Sequence, residues 1–420
     1  MSVERIIGID FGTSTSLVKV KTYRDGKPVD GDPTSTQAVE FDNGRTTAPT
    51  LIRFLETEEY FGQEAVSPKV GSTLCKNFKL DLQSQDAAAK AQAQELTRKF
   101  FRFLYEQYSG QSTRFGQFDT ERTLVSYPAK WTRETREFML QAARDAGFKN
   151  VSGMDEPTAA LYTVMVQESA RLVRQGYLTA GKPAYVLMID MGAGTTDLAL
   201  CKYTPGGRNR IIDTWPPAES KVLFGGREMD ELLLQYLTEY LKKCDMPERM
   251  IANLEKNSLE DCKGWKENTV SSALSRNAVA EECSFVSNLL MMIGEAPPPF
   301  PAIDRAVLED YCKDYIGRYA ELIAGAMFHA RQVDPEFNAG DLSLAVLTGG
   351  HSQWYFARDM LCCSLPGYEG GVGVRLSVDQ VVTLRPPQHT VSSGLVFSVQ
   401  FPAPEPEPEP ARPKERVVSH

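Results

Sequence analysis

VLMIDMGAGTTDLALCKY, residues 186–203, decides the fold. An apolar strand ends on Asp190, a glycine-bearing tip follows (Gly192, Ala193, Gly194, Thr195), and a second strand of alternating pattern runs on from Asp197. That is a β-hairpin with a carboxylate at its mouth. IIGIDFGTSTSLVKV, residues 6–20, repeats the plan, with Asp10 at the strand end and Gly12, Thr13 and Ser14 at the tip. Glycines and small hydroxyl residues let backbone N–H groups come close to phosphate oxygens. Magnesium keeps most of its waters and binds through few protein oxygens, which suits two carboxylates. Two such hairpins facing one another read as two similar lobes with a nucleoside triphosphate held between them.

Composition narrows the classes. The 420 residues are 42% hydrophobic and 24% charged, an ordinary globular balance with ample core. Net charge is −9 with no basic run, so nucleic acid is not an expected partner. Apolar stretches are strand-sized, so no membrane span is expected. The first strand starts so near Met1 that no secretion signal fits before it. Eight cysteines show no CxxC spacing and histidines number four, which speaks against structural zinc and for reduced thiols in a cytoplasmic protein.

Along the chain, proline-marked segments from Tyr23 to Pro49 read as hairpins, and TLIRFL with EYFGQEA as a strand pair. Ala87 to Tyr108 carries apolar residues at helical spacing. RTLVSYPA is a strand closed by Pro128, Arg133 to Ala146 a helix ended by Gly147, and DEPTAALYTVMV a helix with Pro157 in its first turn. In the second half, Gly225 and Gly226 precede a helix from Glu228 to Lys243. Residues 245–310 read as polar and mixed, with a strand-like AVAEECSFV and a proline loop at 297–301. Asp310 to Gln332 reads as a helix, and LSLAVLTGGHSQ as a strand entering a Gly349–Gly350 turn. His351 reads as a loop residue without chemistry. PQHTVSSGLVFSVQF reads as a final helix before a proline- and glutamate-rich tail.

The order of these motifs (hairpin, DEPTAA helix, hairpin, GG before a helix, LTGG before a helix) resembles the ATPase domain of the heat shock protein 70 (DnaK-like) family, over residues 5–400. The resemblance implies an α/β, actin-like ATPase fold: two duplicated ribonuclease-H-like lobes, each with an inserted subdomain, and a nucleotide cleft between them. It implies lobe I at 1–184 with an insert near 23–115. Lobe II would span 185–401 with an insert near 227–310 and a final helix near 387–401 returning toward lobe I. A disordered tail would occupy 402–420.

It also assigns residues. Asp10 and Asp190 would hold magnesium through water, and Gly12, Thr13, Ser14, Gly192, Ala193, Gly194 and Thr195 would form the phosphate loops. Asp10, Lys79, Glu156, Thr195 and Asp197 match the positions that assist ATP hydrolysis, with Lys79 favoured over Lys76. Gly225, Gly226, Lys263, Lys266, Gly349, Gly350 and Gln353 would lie along the nucleotide. Pro128 and Arg136 match a pair that relays nucleotide state. Departures stand beside these: Gln353 and Arg227 occupy positions where the family usually has an arginine and an acidic residue, and Ala193 replaces a glycine. No hydrophobic linker or peptide-binding domain follows residue 401 in this sequence. The resemblance therefore implies a Mg-dependent ATP/ADP-binding, chaperone-type hydrolase domain, slow in turnover, acting through a protein partner or client. The rival readings are an actin- or MreB-like filament protein, a small-molecule kinase and a nucleotide-sensing module that does not hydrolyse.

Overall fold

The strand Val3–Phe11 turns back through Thr15–Arg24 because small residues occupy the tip between two apolar runs. In the computed structural model, which describes residues 2–67, 69–207, 209–217, 224–244, 246–281, 283 and 302–402, this hairpin founds a mixed sheet. Val3–Phe11 also pairs in parallel with Thr120–Tyr127, which pairs in parallel with Val151–Asp155. Three short strands, Lys27–Pro28, Gln37–Ala38 and Ala48–Pro49, extend Thr15–Arg24. The second hairpin repeats the design. Ala184–Met191 pairs antiparallel with Thr196–Tyr203, then Asn209–Trp215 follows, while Leu342–Thr348 and Val381–Thr383 add in parallel on the other side. Both sheets thus carry an antiparallel meander on one flank and two parallel strands on the other. This is the duplicated, two-lobed architecture of the actin-like ATPase fold.

Helices cover the sheets. Arg133–Ala146 begins where the Thr132 hydroxyl accepts from Thr135 N and stops at Gly147. Glu156–Arg174 begins where the Asp155 carboxylate accepts from Thr158 N at 2.7 Å, with proline in its first turn. Its apolar face packs against Thr390–Phe397, whose side chains are all buried. That contact is so close that a Cβ on Gly394 would sit 1.6 Å from the Ala159 carbonyl oxygen. The helix Thr390–Phe397 therefore packs onto the first lobe, and Phe401 stacks on Tyr162 with ring centroids 4.2 Å apart.

Two expectations need correction. Residues 245–310, read from the sequence as polar and mixed, are mainly helical up to residue 275, as Glu248–Asn257, Leu259–Trp265, a π-helical turn Lys266–Val270, and Ser271–Ser275. Charged residues dilute an apolar stripe (Ile251, Leu254, Cys262, Trp265, Val270, Leu274) that is buried against the second lobe. Within AVAEECSFV, Ala280 makes an isolated bridge to Ile303, and residues 284–286 lie outside the described set, as do the proline loop and the tail beyond 402. The helix expected from Asp310 starts earlier, at Arg305, breaks at Cys312, and resumes as Lys313–Val333.

Candidate functional site

The two hairpin tips and the carboxyl ends of the parallel strands open on one cleft of roughly 830 Å³, within the usual range for small-molecule sites. Asp10, Gly12, Thr13, Ser14, Lys79, Glu156, Asp190, Gly192, Ala193, Gly194, Thr195 and Asp197 all line it. The second tip is closed by Gly192 N donating to Thr195 O at 2.9 Å. Asp190 stands directly opposite Asp197 in the hairpin register, so their side chains share a face.

This floor is crowded with carboxylates. Burial, then the charge of Glu156, pushes Asp10 up to about 6, against the opposing pull of Lys79 and a 2.9 Å hydrogen bond from Ser126 Oγ. Asp190 rises to about 8 through burial and then the charges of Glu156, Asp197 and Asp10. Burial alone would discharge Lys79, but Glu156, Asp10 and Asp190 outweigh it and raise its pKa. Its ammonium lies 2.9 Å from Glu156 Oε1. Raised carboxyl pKa values here reflect the cost of burying several carboxylates together. Among the described residues no group of three or more His, Cys, Asp or Glu could grip a bare ion. Asp10 and Asp190 are the two hairpin carboxylates on this floor that could meet a hydrated cation.

Lys263, Lys266, Gly226, Gly349, Gly350 and Gln353 line the same cleft, from the second lobe. Gly349 has φ +79°, and a Cβ there would fall 2.4 Å from Met191 O and 2.5 Å from Asp190 Oδ1, so only glycine lets this loop approach the second hairpin. Lys266 is engaged already, 2.7 Å from Asp230 Oδ1 and donating to Gly226 O at 3.1 Å. Gly225 does not line the cleft; it lies beneath it, against the Gly192 and Ala193 carbonyls. Lys76 is exposed on the strand Thr73–Lys76 and is not among the cleft-lining residues. Pro128 lines the cleft, whereas the Arg136 guanidinium sits 5.2 Å over the Tyr127 ring. Arg227 pairs with Glu231 on the exposed face of its helix.

His351 departs from its expectation as a plain loop residue. It is buried, and its Nε2 lies 2.7 Å from Tyr315 OH. Tyr315 OH lies within hydrogen-bond reach of Gly225 O at 3.0 Å and of Tyr319 OH at 3.3 Å, itself 3.2 Å from Thr196 Oγ1. Burial and the charge of Lys266 keep the His351 ring neutral, its pKa well below the usual value.

Sequence reasoning also missed Lys130, whose ammonium is hydrogen-bonded to Asp197 Oδ1, and Ser126 beside Asp10. Both sit at the carboxyl end of Thr120–Tyr127, next to the strand ending in Asp10. The general placement of α/β sites at such strand ends was the available signal.

The fold and the cleft define a two-lobed protein of the actin-like ATPase class. Comparison with known proteins gives the family: the profile described as Hsp70 protein matches residues 77–353. The chain belongs to the Hsp70 family. It is similar to a chaperone protein HscA homolog of Rickettsia bellii (strain RML369-C), 24% identical over 245 residues, covering 56% of this chain and 38% of that one. It is also similar to a mitochondrial-type heat shock protein 70 of Encephalitozoon hellem, 21% identical over 383 residues, covering 85% and 58%. The chain thus spans less than two thirds of the length of either relative. Among the described residues no helix is long and apolar enough to cross a membrane.

Proposed function

We propose that the chain binds ATP and ADP with magnesium in this cleft and hydrolyses ATP slowly to ADP and phosphate. The observation that carries the reading is the pairing of Lys79 with Glu156 at 2.9 Å, on the same cleft floor as Asp10, Asp190 and both hairpin tips. Phosphoryl transfer asks a protein mainly for positioning and charge stabilisation. Backbone N–H groups around Gly12–Ser14 and Gly192–Thr195 would cradle the phosphates. Lys79 would face the terminal phosphate, while Glu156, Thr195 and Asp197 orient the attacking water. Asp10 and Asp190 would hold magnesium, which would supply positive charge against the phosphate oxygens. Gly349, Gly350, Gln353, Lys263 and Gly226 would flank the nucleoside, with Lys266 and Gly225 shaping that wall from behind.

The same reading takes residues 1–184 and 185–401 as the two lobes, with inserts near 23–115 and 227–310. Lobe closure about the nucleotide would be the output, passed to a protein partner or client in the cytoplasm. The test is steady-state phosphate release from Mg-ATP by the full chain, Thr195→Ala and Asp10→Asn. Turnover that falls at least about tenfold in both variants fits the reading. Turnover equal in all three proteins sinks it.

One specific observation favours a second reading, a nucleotide-gated module without turnover. Lys266 is tied to Asp230 and Gln353 Nε2 to Gly350 O at 3.4 Å, leaving fewer groups for the nucleoside. Tight Mg-ATP binding without phosphate release would select it.

A further inference from the structure

Beside Lys79, a further lysine lines the cleft near the hairpin tips. Lys130 lies two residues past Pro128, in a turn closed by Trp131 N donating to Pro128 O at 3.0 Å. This turn leaves the first sheet at the carboxyl end of Thr120–Tyr127. Its ammonium crosses to the second sheet and hydrogen-bonds to Asp197 Oδ1. Asp197 is the residue opposite Asp190 in the second hairpin, so Lys130 sits where the two sheets bring their carboxylates together.

Lys79 and Lys130 both line the cleft, but their settings differ. The Lys79 side chain is 7% exposed and its partner Glu156 13%; Lys130 is 18% exposed and Asp197 28%. Lys79 is locked among carboxylates, with its ammonium 5.5 Å from the centre of the Trp131 ring. Lys130 is the more open of the two. A partly exposed pair contributes little to folding, whereas a lysine is a compact point charge on a flexible stem that can serve oxygens on either side of it. Lys130 also borders a small cavity walled by Pro128, Ala160, Met188 and Trp215, with Glu156, Asp190 and Asp197 on its polar side. The same lysine lines the larger cleft together with both hairpin tips.

We propose that Lys130 is a second phosphate-binding cation, seated on Asp197 across the seam between the lobes and contacting the terminal phosphate of a nucleoside triphosphate. This rests on the nucleotide reading above and deepens it: the seam between the lobes would be read by the outermost phosphate. Asp197 then holds and orients Lys130.

The test compares equilibrium binding of ATP, ADP and AMP, each with magnesium, to the full chain and to Lys130→Ala, Lys130→Gln and Lys130→Arg. Thermal melting without nucleotide checks that each variant is folded, and Lys130→Gln carries the test if Lys130→Ala is not. The expected result is a loss of about tenfold or more for ATP, the scale of one charge-assisted contact. AMP affinity should change less than about twofold, and Lys130→Arg should recover most of the ATP affinity. An equal loss for all three nucleotides makes Lys130 a support of cleft shape and overturns the proposal, as does no loss at all. If the unaltered chain binds none of the three, the nucleotide reading itself has failed, an outcome distinct from a failure confined to Lys130.

Discussion

Lys79 Nζ and Glu156 Oε1, 2.9 Å apart, join the short helix Phe78–Asp81, which follows the strand Thr73–Lys76, to the start of the long helix Glu156–Arg174. Both side chains are largely buried, so the pair couples the inserted part of the first lobe to the cleft floor. Removing one partner of such a pair leaves an uncompensated charge and costs about 3 kcal/mol or more. Lys79→Met is therefore expected to melt well below the native chain. Lys79→Met combined with Glu156→Gln should regain much of that loss, yet release phosphate about 100-fold more slowly or worse. A double variant as unstable as the single one, measured by thermal melting, would show that the charge is not the cause.

The acidic floor gives a pH dependence with a definite sign. An unfolded aspartate titrates near 3.9, while folded Asp190 titrates at about 8. Between those values the folded chain holds a proton that the unfolded chain has released, so stability falls as pH rises through this window and levels off above it. Asp190→Asn removes the penalty, and without metal it should raise the melting temperature more at about pH 8.5 than at about pH 5. A hydrated cation favours the carboxylate form, so binding of Mg-nucleotide near pH 7 should release about one proton. Calorimetry in two buffers of different ionisation enthalpy reads that proton, and its persistence in Asp190→Asn would assign it elsewhere.

Much of this was legible where local chemistry marks a boundary. Thr132 and Gly147 bracket the helix Arg133–Ala146, and the paired glycine tips announce the hairpins. The helices of residues 248–275 were hidden because their apolar stripe is thin and interrupted by charge, and becomes meaningful only against the second lobe's core. Lys130 escaped for a different reason. Its partner is 67 residues away in the chain, and nothing local to Lys130 marks it. His351 is buried by Tyr315, Tyr319 and Phe356, which arrive from other elements. Motif order conveys the frame of the cleft; which polar groups are already engaged within it depends on packing that one sequence does not display.

The hydroxyl chain Thr196–Tyr319–Tyr315–His351 links the second hairpin, beside its tip, to the Gly349–Gly350 loop. Tyr315→Phe would strip the hydroxyl partner from His351 Nε2. A buried polar group left without a partner costs about 1–3 kcal/mol. A lower melting temperature is expected, with weakened nucleotide binding as the two loops lose their common support. Nitrogen NMR of the native chain should find the His351 ring neutral, without titration down to mildly acidic pH. A protonated ring at about pH 6 would contradict the burial.

The most stringent packing contact lies away from the cleft. Gly394 meets the Ala159 carbonyl so closely that an added Cβ would sit 1.6 Å from the oxygen, with backbone on both sides. Tyr23 OH donates to Val396 O at 2.8 Å and Thr163 Oγ1 to Thr390 O at 2.6 Å, so the helix cannot slide away without breaking buried hydrogen bonds. Overpacking a rigid contact costs about 1–3 kcal/mol, occasionally more, and here the clash is backbone against Cβ with no rotamer to relieve it. Gly394→Ala is expected at or above the top of that range, seen as a large fall in melting temperature or failure to accumulate folded protein. Ser398→Ala, one turn further on, removes only a local hydroxyl donating to Leu395 O and should melt within a few degrees of the native chain. If Gly394→Ala melts like Ser398→Ala, the final helix is not clamped to the first lobe as described, and its coupling to the helix that begins at Glu156 is lost with it.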